Sequence, residues 1–453
     1  MRQGKYDVVV IGSGLGGLSA GARLAKSGYK TLLVEKLDRV GGRFSTVEHE
    51  GFKLPTGAIV LHKGGEVEQF LKELGIKVEL IDFTPVFYRI EGKDYEIPGK
   101  GRVRAFFDIV NRLEENKAKL VGGVFKEIAT QKVMAAFGRG LSEPEKEEGL
   151  TLKDWLMQFT DNKVIHAIFD AIVVLVMNPH SDEILAAEFF RFMATMGGMR
   201  EMAIAPNGNL VFGKQIADVI RANGDVWTSC PAKKIVIKNG VATGVVIQKG
   251  GSEVEIDAKV VISDVGVKRT VELAGKENFG AEYLAEMKRK IRPVPVVMFL
   301  LASDKPLALQ GGEVGSLITI GCRRMMSALP LTNACPGLAP PGQHLLYGIS
   351  APVSSLTPMP VKEDLELLML DIKEQFPDFG KHGRVLKLDA RNIDDEFPEL
   401  RTWPGWDMPR ETPVKNLYNV GDSVKSPGMS GTSAAVETGK RVAETVKKLI
   451  KPG

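Results

Sequence analysis

Cysteine and histidine are scarce in this chain, with three and six respectively among 453 residues. Cys230, Cys322 and Cys335 lie far apart and show no CxxC spacing. Such a set excludes a disulfide framework and points to a reducing, cytoplasmic compartment. No histidine has metal-ligand spacing, and no metal site is expected. Long apolar runs are missing too. The longest, Ala171–Met177 and Val294–Ala302, fall far short of a spanning helix. Charge of one sign is nearly absent, since the formal net charge is +4, which is too small to imply a nucleic-acid partner. The start, MRQGKYDVVVIGSG, runs directly into a strand and a glycine loop, unlike a signal peptide. A chain of this length exceeds one ordinary core, so two packed domains are expected.

What is present gathers first at the N-terminus. Tyr6 to Ile11 is a β-branched run of the kind that forms a buried parallel strand. It feeds Gly12-Ser13-Gly14-Leu15-Gly16-Gly17, a GxGxxG match at Gly12, Gly14 and Gly17. A helix pattern follows to Ser27-Gly28, and a second strand, Thr31 to Val34, delivers Glu35. Each part has a mechanical role in holding a dinucleotide. Gly12 permits a tight turn, Gly14 lets the backbone approach a pyrophosphate, and Gly17 lets helix and strand pack closely. The helix N-terminus offers N–H groups and positive dipole to that pyrophosphate. Glu35 stands where a carboxylate accepts hydrogen bonds from ribose hydroxyls, which disfavours a 2′-phosphate.

The fingerprint alone does not choose between NAD and FAD. The next segment, Glu35 through Gly41-Gly42-Arg43, resembles the ExxxxxGGR signature of the amine oxidase and phytoene desaturase superfamily of flavoproteins. Near the other end, Asn416 to Val420 reads as a strand ending in Gly421-Asp422. Ser426-Pro427-Gly428-Met429-Ser430-Gly431-Thr432 and a helix pattern follow, as in the closing motif of the same superfamily. The resemblance implies non-covalent FAD, because the Ser-Gly-Gly-Cys-Tyr pattern of covalent flavin attachment is absent. It gives the FAD site Gly12, Gly14, Leu15, Gly16, Gly17, Glu35, Lys36, Gly42, Arg43, Gly57, Ala58, Ala232, Gly421, Asp422, Gly431 and Thr432. Asp422 is implied at the ribityl and pyrophosphate region, and the final helix at the flavin N1/C2=O edge. Two departures from the superfamily pattern stand out, Asn209 for a glycine of PxGG and Thr56-Gly57 for Asp-Gly.

The implied fold class is α/β, a Rossmann-like FAD-binding domain of the glutathione-reductase type with an inserted α+β substrate-binding domain. Residues 1–84, 205–290 and 411–453 are expected in the first, and 85–204 and 291–410 in the second. Within the middle segment, Pro206-Asn207-Gly208-Asn209-Leu210 opens a helix, and Asn239-Gly240 marks a hairpin. The inserts contain the helix start Thr151 to Leu156, the Ile/Val/Phe/Met-rich stretches 165–177 and 186–196, and the strand Val294–Leu301. They predict an apolar cavity with helices on one side and strands on the other. Residues 101–139 combine Arg102, Arg104, Arg112, Lys117, Lys119, Lys126 and Lys132 with Phe106, Phe107, Ile109 and Leu113. They read as a solvated helix face, with peripheral membrane contact as the alternative.

Side chains for chemistry are few. His62 is a candidate by its closeness to Gly57-Ala58, and the resemblance adds Met429 and Trp403 with Trp406. Three functions remain in view. The first is hydride transfer between flavin N5 and a C–C bond of an apolar, polyisoprenoid-like or cyclic substrate, as in phytoene desaturases, carotenoid isomerases and retinol saturases. The second is amine oxidation, which calls for an aromatic pair and often a lysine beside the flavin. The third is a prenyl-lipid-binding protein of the GDP-dissociation-inhibitor type, which the intact glycines, Glu35 and Asp422 disfavour. No second glycine fingerprint follows a strand, so electrons are expected to pass to oxygen, a quinone or a redox protein. The oligomeric state is not legible.

Overall fold

Val8, Val9 and Val10 are fully buried, and a strand covered on both faces has to lie inside a sheet. In the computed structural model, which describes residues 2–82, 85–97, 102–113, 117–136, 149–195, 201–308, 315–391 and 401–453, it does so. The strand Arg2–Ile11 runs parallel to Thr31–Val34 on one side and Ser252–Ser263 on the other. Gly224–Trp227 extends the sheet beyond Thr31–Val34, again in parallel. Ser252–Ser263 is twelve residues long and changes neighbour along its length. Its first half pairs antiparallel with Val241–Lys249, and its end pairs parallel with Leu417–Asn419. Three distant pieces of chain thus share one sheet.

Helices cover that sheet. Leu15–Lys26 packs against Gly431–Leu449 at very short range, because Gly439 has no side chain. A Cβ there would lie 2.5 Å from the Gly16 carbonyl oxygen and 2.6 Å from Ser19 Oγ. The helix Leu210–Arg221 begins after Asn209, as expected. Asn239 and Gly240 adopt φ of 51° and 73°, the left-handed pair that a two-residue hairpin between Ala232–Lys238 and Val241–Lys249 requires.

A second seven-stranded sheet has the order Gly383–Arg391, Val296–Ser303, His344–Ser350, Met325–Pro330, Ser316–Ile320, Val86–Ile90, Lys93–Ile97. Its pairs are antiparallel except Ser316–Ile320 with Val86–Ile90. Alternation along Val296–Ser303 sends Met298 and Leu300 to one face and Phe299 and Leu301 to the other. The first face packs against the helices Lys163–Met177 and Ala186–Thr195, and the second against Leu368 and Ile372 of Val361–Gln375. The expected helix start at Thr151 is present, with Thr151 Oγ1 accepting the Asp154 N–H at 3.1 Å. The basic stretch 101–139 is described only at 102–113 and 117–136, and both pieces are helical. Among the described residues, no helix is long and apolar enough to cross a membrane.

Candidate active site

The glycine loop sits where Arg2–Ile11 hands over to Leu15–Lys26. Gly17 performs its predicted packing role, since a Cβ there would lie 2.3 Å from the Gly12 carbonyl oxygen. The loop also wraps a side chain that sequence reasoning missed. Asp264, one residue past Ser252–Ser263, accepts the Gly17 N–H at 2.7 Å. A Cβ on Gly14, Gly16 or Gly421 would come within 2.5, 2.8 or 2.9 Å of its carboxylate oxygens. The dipole at this helix start is therefore met in part by an internal carboxylate.

Glu35 is buried and tied to the same loop. Its Oε2 accepts from Ser13 N at 2.8 Å and Ser13 Oγ at 2.6 Å, and its Oε1 accepts from Leu37 N at 2.9 Å. Each carboxylate oxygen has two lone pairs, so Oε1 retains capacity for a ribose hydroxyl. The two departures from the superfamily pattern turn out to be fasteners. Thr56 Oγ1 donates to the Gly42 carbonyl at 2.8 Å, and Asn209 Nδ2 donates to the Ala58 carbonyl at 2.7 Å.

At the closing segment, charges are buried together. Lys425, only 1% exposed, places Nζ 2.7 Å from Asp407 Oδ1, 3.5 Å from Asp422 Oδ2 and 2.8 Å from the Asp422 carbonyl. It also donates to the Thr402 carbonyl and hydroxyl. Burial pushes Asp407 up to about 7 despite Lys425, with Asp422 and Glu188 adding repulsion. Burial would raise Asp422 as well, but Lys425, Arg401 and Arg43 outweigh it and hold that carboxyl below its ordinary value. Thr402 N donates to Asp422 Oδ2 at 2.7 Å, while Oδ1 accepts no hydrogen bond.

These parts surround one cavity of about 1050 Å³. Of the residues expected to hold FAD, Gly12, Gly14, Leu15, Gly16, Glu35, Lys36, Gly42, Arg43, Gly57, Ala58, Ala232, Gly421, Asp422, Gly431 and Thr432 all line it. Gly17 lies behind the wall. His62 lines the cavity on the strand Val60–His62. Met429 and Trp403 do not, and their expected placement is corrected here. Met429 is packed into the core under the second sheet, where its apolar side chain is covered on all sides. Trp403 is buried in a small apolar cluster with Trp406 and Val294, and its Nε1 donates to Ser355 Oγ at 2.8 Å. The same cavity continues into an apolar chamber. Ile172, Leu175 and Val176 of Lys163–Met177 and Phe192 of Ala186–Thr195 face Val296, Met298, Ile318, Leu329 and Ile349 of the second sheet. Tyr347, whose hydroxyl donates to the Gly57 carbonyl at 3.3 Å, and Arg401 are polar exceptions that the sequence reading did not name.

The model of the flavin-containing amine oxidoreductases matches residues 15–447. The chain belongs to that family. An oxidoreductase from Methanosarcina mazei is 27% identical and superposes with a TM-score of 0.79, covering 97% of this chain and 100% of its own. The 15-cis-phytoene desaturase of Capsicum annuum is 23% identical over 465 residues, 97% of this chain and 77% of its own. Cyclohexylamine oxidase from Brevibacterium oxydans is 16% identical with a TM-score of 0.66, across 98% of this chain and 99% of its own. The protein is an FAD-dependent flavoprotein with a Rossmann-like cofactor domain and a substrate domain. Its residues fit that cofactor. The glycine loop leaves room for a pyrophosphate, Glu35 keeps an acceptor for ribose, and the buried Asp422 Oδ1 offers one to a hydroxyl inside the cavity. None of the three cysteines is among the lining residues.

Proposed function

We infer that this flavin oxidoreductase moves hydride between flavin N5 and a C–C bond of an apolar substrate, polyisoprenoid-like or cyclic, as a desaturase, saturase or isomerase. The observation that carries this reading is the chamber, in which aliphatic, Met and Phe side chains from two helices face a mostly aliphatic and Met surface of the second sheet, with Tyr88 and Tyr347 its aromatic members there. Such a wall binds by excluding water, at about 25 cal/mol per Å² of apolar area covered. The lysines that line the cavity, Lys36 and Lys233, stand beside Glu35 and Ala232 rather than in the chamber. That placement favours a hydrocarbon over an amine, and the likeness to a phytoene desaturase supports it.

The bound flavin supplies the hydride acceptor or donor. The chain's own residues bind, orient and keep the site dry. Gly42-Arg43 and Gly57-Ala58 form one wall, fixed from behind by Thr56 and Asn209. Tyr347 joins the second sheet to that wall through Gly57, which holds the chamber in line with the cofactor site. The hydride leaves or reaches one carbon, and the neighbouring carbon gives up a proton in a desaturation or gains one in a saturation; that proton is exchanged with water by way of His62 or Tyr347, titratable side chains on the cavity wall.

The test is anaerobic mixing of FAD-loaded protein with a polyene, a cyclic enone and a panel of amines. Bleaching of the oxidised flavin band by a polyene, or return of that band when protein with previously reduced flavin meets an enone, is the expected result; bleaching by amines alone would overturn the reading. Electrons then pass to oxygen, a quinone or a redox protein, and steady-state assays with each acceptor distinguish them. We also propose, as the alternative to an ordinary solvated face, a peripheral membrane contact through the helix Lys117–Ala136, where Phe125 and Val133 are 55% and 57% exposed beside Lys126 and Lys132. Co-sedimentation with anionic vesicles checks it, and a Phe125→Ser/Val133→Ser variant is expected to stay in the supernatant.

A further inference from the structure

The floor of the apolar chamber is a row of side chains in register across the second sheet. Met298 stands opposite Ile349, Ile349 opposite Ser327, Ser327 opposite Ile318, and Ile318 beside Tyr88. All of them line the cavity. Neighbouring strands lie about 4.8 Å apart, so four such steps carry this row roughly 19 Å from Met298 to Tyr88. Tyr347 and Leu329 stand opposite each other in the next row, about 7 Å further along the strands. The floor is therefore a slot much longer than it is wide, and Ser327 stands at its midpoint.

A hydroxyl is out of place there. Ser327 is 3% exposed, and its cross-strand neighbours Ile318 and Ile349 offer only hydrocarbon. The helix Lys163–Met177 roofs this part of the sheet and turns Ile172, Leu175 and Val176 to the cavity. The Ser327 hydroxyl accordingly has no hydrogen-bond partner among the described residues. It carries one donor and two acceptor lone pairs, and a buried polar group left unpaired is destabilising. The strand is also bent to put it there. Pairing of Met325–Pro330 with His344–Ser350 slips by one residue between Met325 and Ser327. In an unbroken strand, residues two apart share a face. Here Met325 packs into the core on the far side of the sheet, while Ser327 faces the chamber. A bulge of one extra residue re-aims the side chains beyond it in this way.

We propose that Ser327 sets substrate specificity, its hydroxyl binding a carbonyl or hydroxyl oxygen carried partway along an otherwise apolar substrate. This deepens the apolar-substrate reading of the chamber and rests on it. The substrate class is then a mono-oxygenated skeleton rather than a bare hydrocarbon. A hydrocarbon fills the slot but strands the hydroxyl, whereas an oxygen about 10 Å from either end of the slot satisfies it. A site built to hydrogen-bond a substrate group rejects the analogue lacking it, and does so more strongly than an apolar wall rejects an added hydroxyl. Ser327 is also a diagonal neighbour of Tyr347, roughly 7–8 Å away, whose hydroxyl reaches the Gly57 wall. The bound oxygen would thus lie one strand in from the cofactor side of the chamber.

The test uses FAD-loaded protein and three probes of equal chain length. They are a fifteen-carbon ketone with its carbonyl on the central carbon, the isostere with a methylene group in place of that oxygen, and the ketone with its carbonyl next to one end. Dissociation constants are read from the rise of the thermal midpoint with probe concentration and from perturbation of the flavin band. Wild-type protein is expected to bind the central ketone about tenfold tighter than either of the others. Ser327→Ala is expected to bring the central ketone and its isostere to parity by weakening the first alone. Ser327→Thr, which keeps a hydroxyl, is expected to retain the preference. Equal affinity of wild-type protein for ketone and isostere would show that water alone serves the hydroxyl, and would overturn the proposal. A preference that survives in Ser327→Ala would overturn it too, by assigning the oxygen to another group. Wild-type protein that holds FAD yet binds none of the three would overturn the apolar-substrate reading itself, and this proposal with it.

Discussion

Lys425 is the residue on which the closing segment turns. Its ammonium touches Asp407, Thr402 and the Asp422 carbonyl, and with Arg401 and Arg43 acting on Asp422 it offsets two buried carboxylates. Burial would lower its pKa, but Asp407 and Asp422 together raise it, so the cation is retained. Removing one partner of such a cluster leaves an uncompensated charge, which costs about 3–5 kcal/mol. Lys425→Met is expected to lose stability on that scale and to release FAD, as read by urea unfolding and flavin content. Adding Asp407→Asn should recover part of the loss, because one of the stranded carboxylates is then neutral. A single variant as stable as the parent would mean the ammonium is dispensable.

At the scale of elements, close approach and loop anchoring carry the stability. The helices Leu15–Lys26 and Gly431–Leu449 meet through Gly439, so a side chain there has to displace the Gly16 carbonyl. A valine at 439 gains a little helix propensity over glycine, but overpacking costs about 1–3 kcal/mol. Gly439→Val is expected to lower the thermal midpoint and weaken FAD retention together, since Gly16 belongs to the glycine loop. His180 anchors a different element. Its Nδ1 donates to Asp170 at 2.8 Å and its Nε2 to the Pro352 carbonyl at 2.7 Å, and two pure acceptors require both ring nitrogens to carry hydrogen. Burial would lower its pKa, but Asp170 and the Pro352 carbonyl lift it from 6.5 to about 9. A folded-state pKa above the unfolded one gives stability that is complete below pH 6.5 and disappears as pH rises through 9, on the order of 2–3 kcal/mol. His180→Gln should flatten the dependence of the urea midpoint on pH across that window; an unchanged slope would show that another group sets it. The loop it holds also receives Trp403 through Ser355, which explains why that tryptophan is structural. Motif-adjacent aromatics such as Trp403 and apolar residues such as Met429 cannot be told from core by spacing alone. By contrast, Gly12, Gly14, Gly42 and Gly421 were legible because their roles are set by backbone path, which local sequence encodes. Asp264, Tyr347, Arg401 and Lys425 were not, because each acts on a segment far away in the chain, and only the sheet topology brings them together.

For the whole molecule, the cofactor site is a junction of pieces that are remote in sequence. Ile262 pairs with both Val10 and Tyr418, so the sheet under the cavity joins both ends of the described chain to its middle. A ligand that binds only this assembled state stabilises it by mass action, about 2.7 kcal/mol at a hundredfold excess over its dissociation constant. Protein stripped of FAD is expected to melt at a lower temperature and to regain its midpoint in proportion to the logarithm of added FAD. A midpoint indifferent to FAD would mean that the cavity forms without holding it. The arrangement also orders events in time. Ribosomes make the glycine loop first, yet Gly421, Asp422 and Ser430 to Ser433, which line the opposite wall, emerge only after more than four hundred residues have been polymerised. A growing chain therefore carries an open half-site over the roughly four hundred residues between the two walls, and the cavity is closed only in molecules whose translation has passed the final helix start.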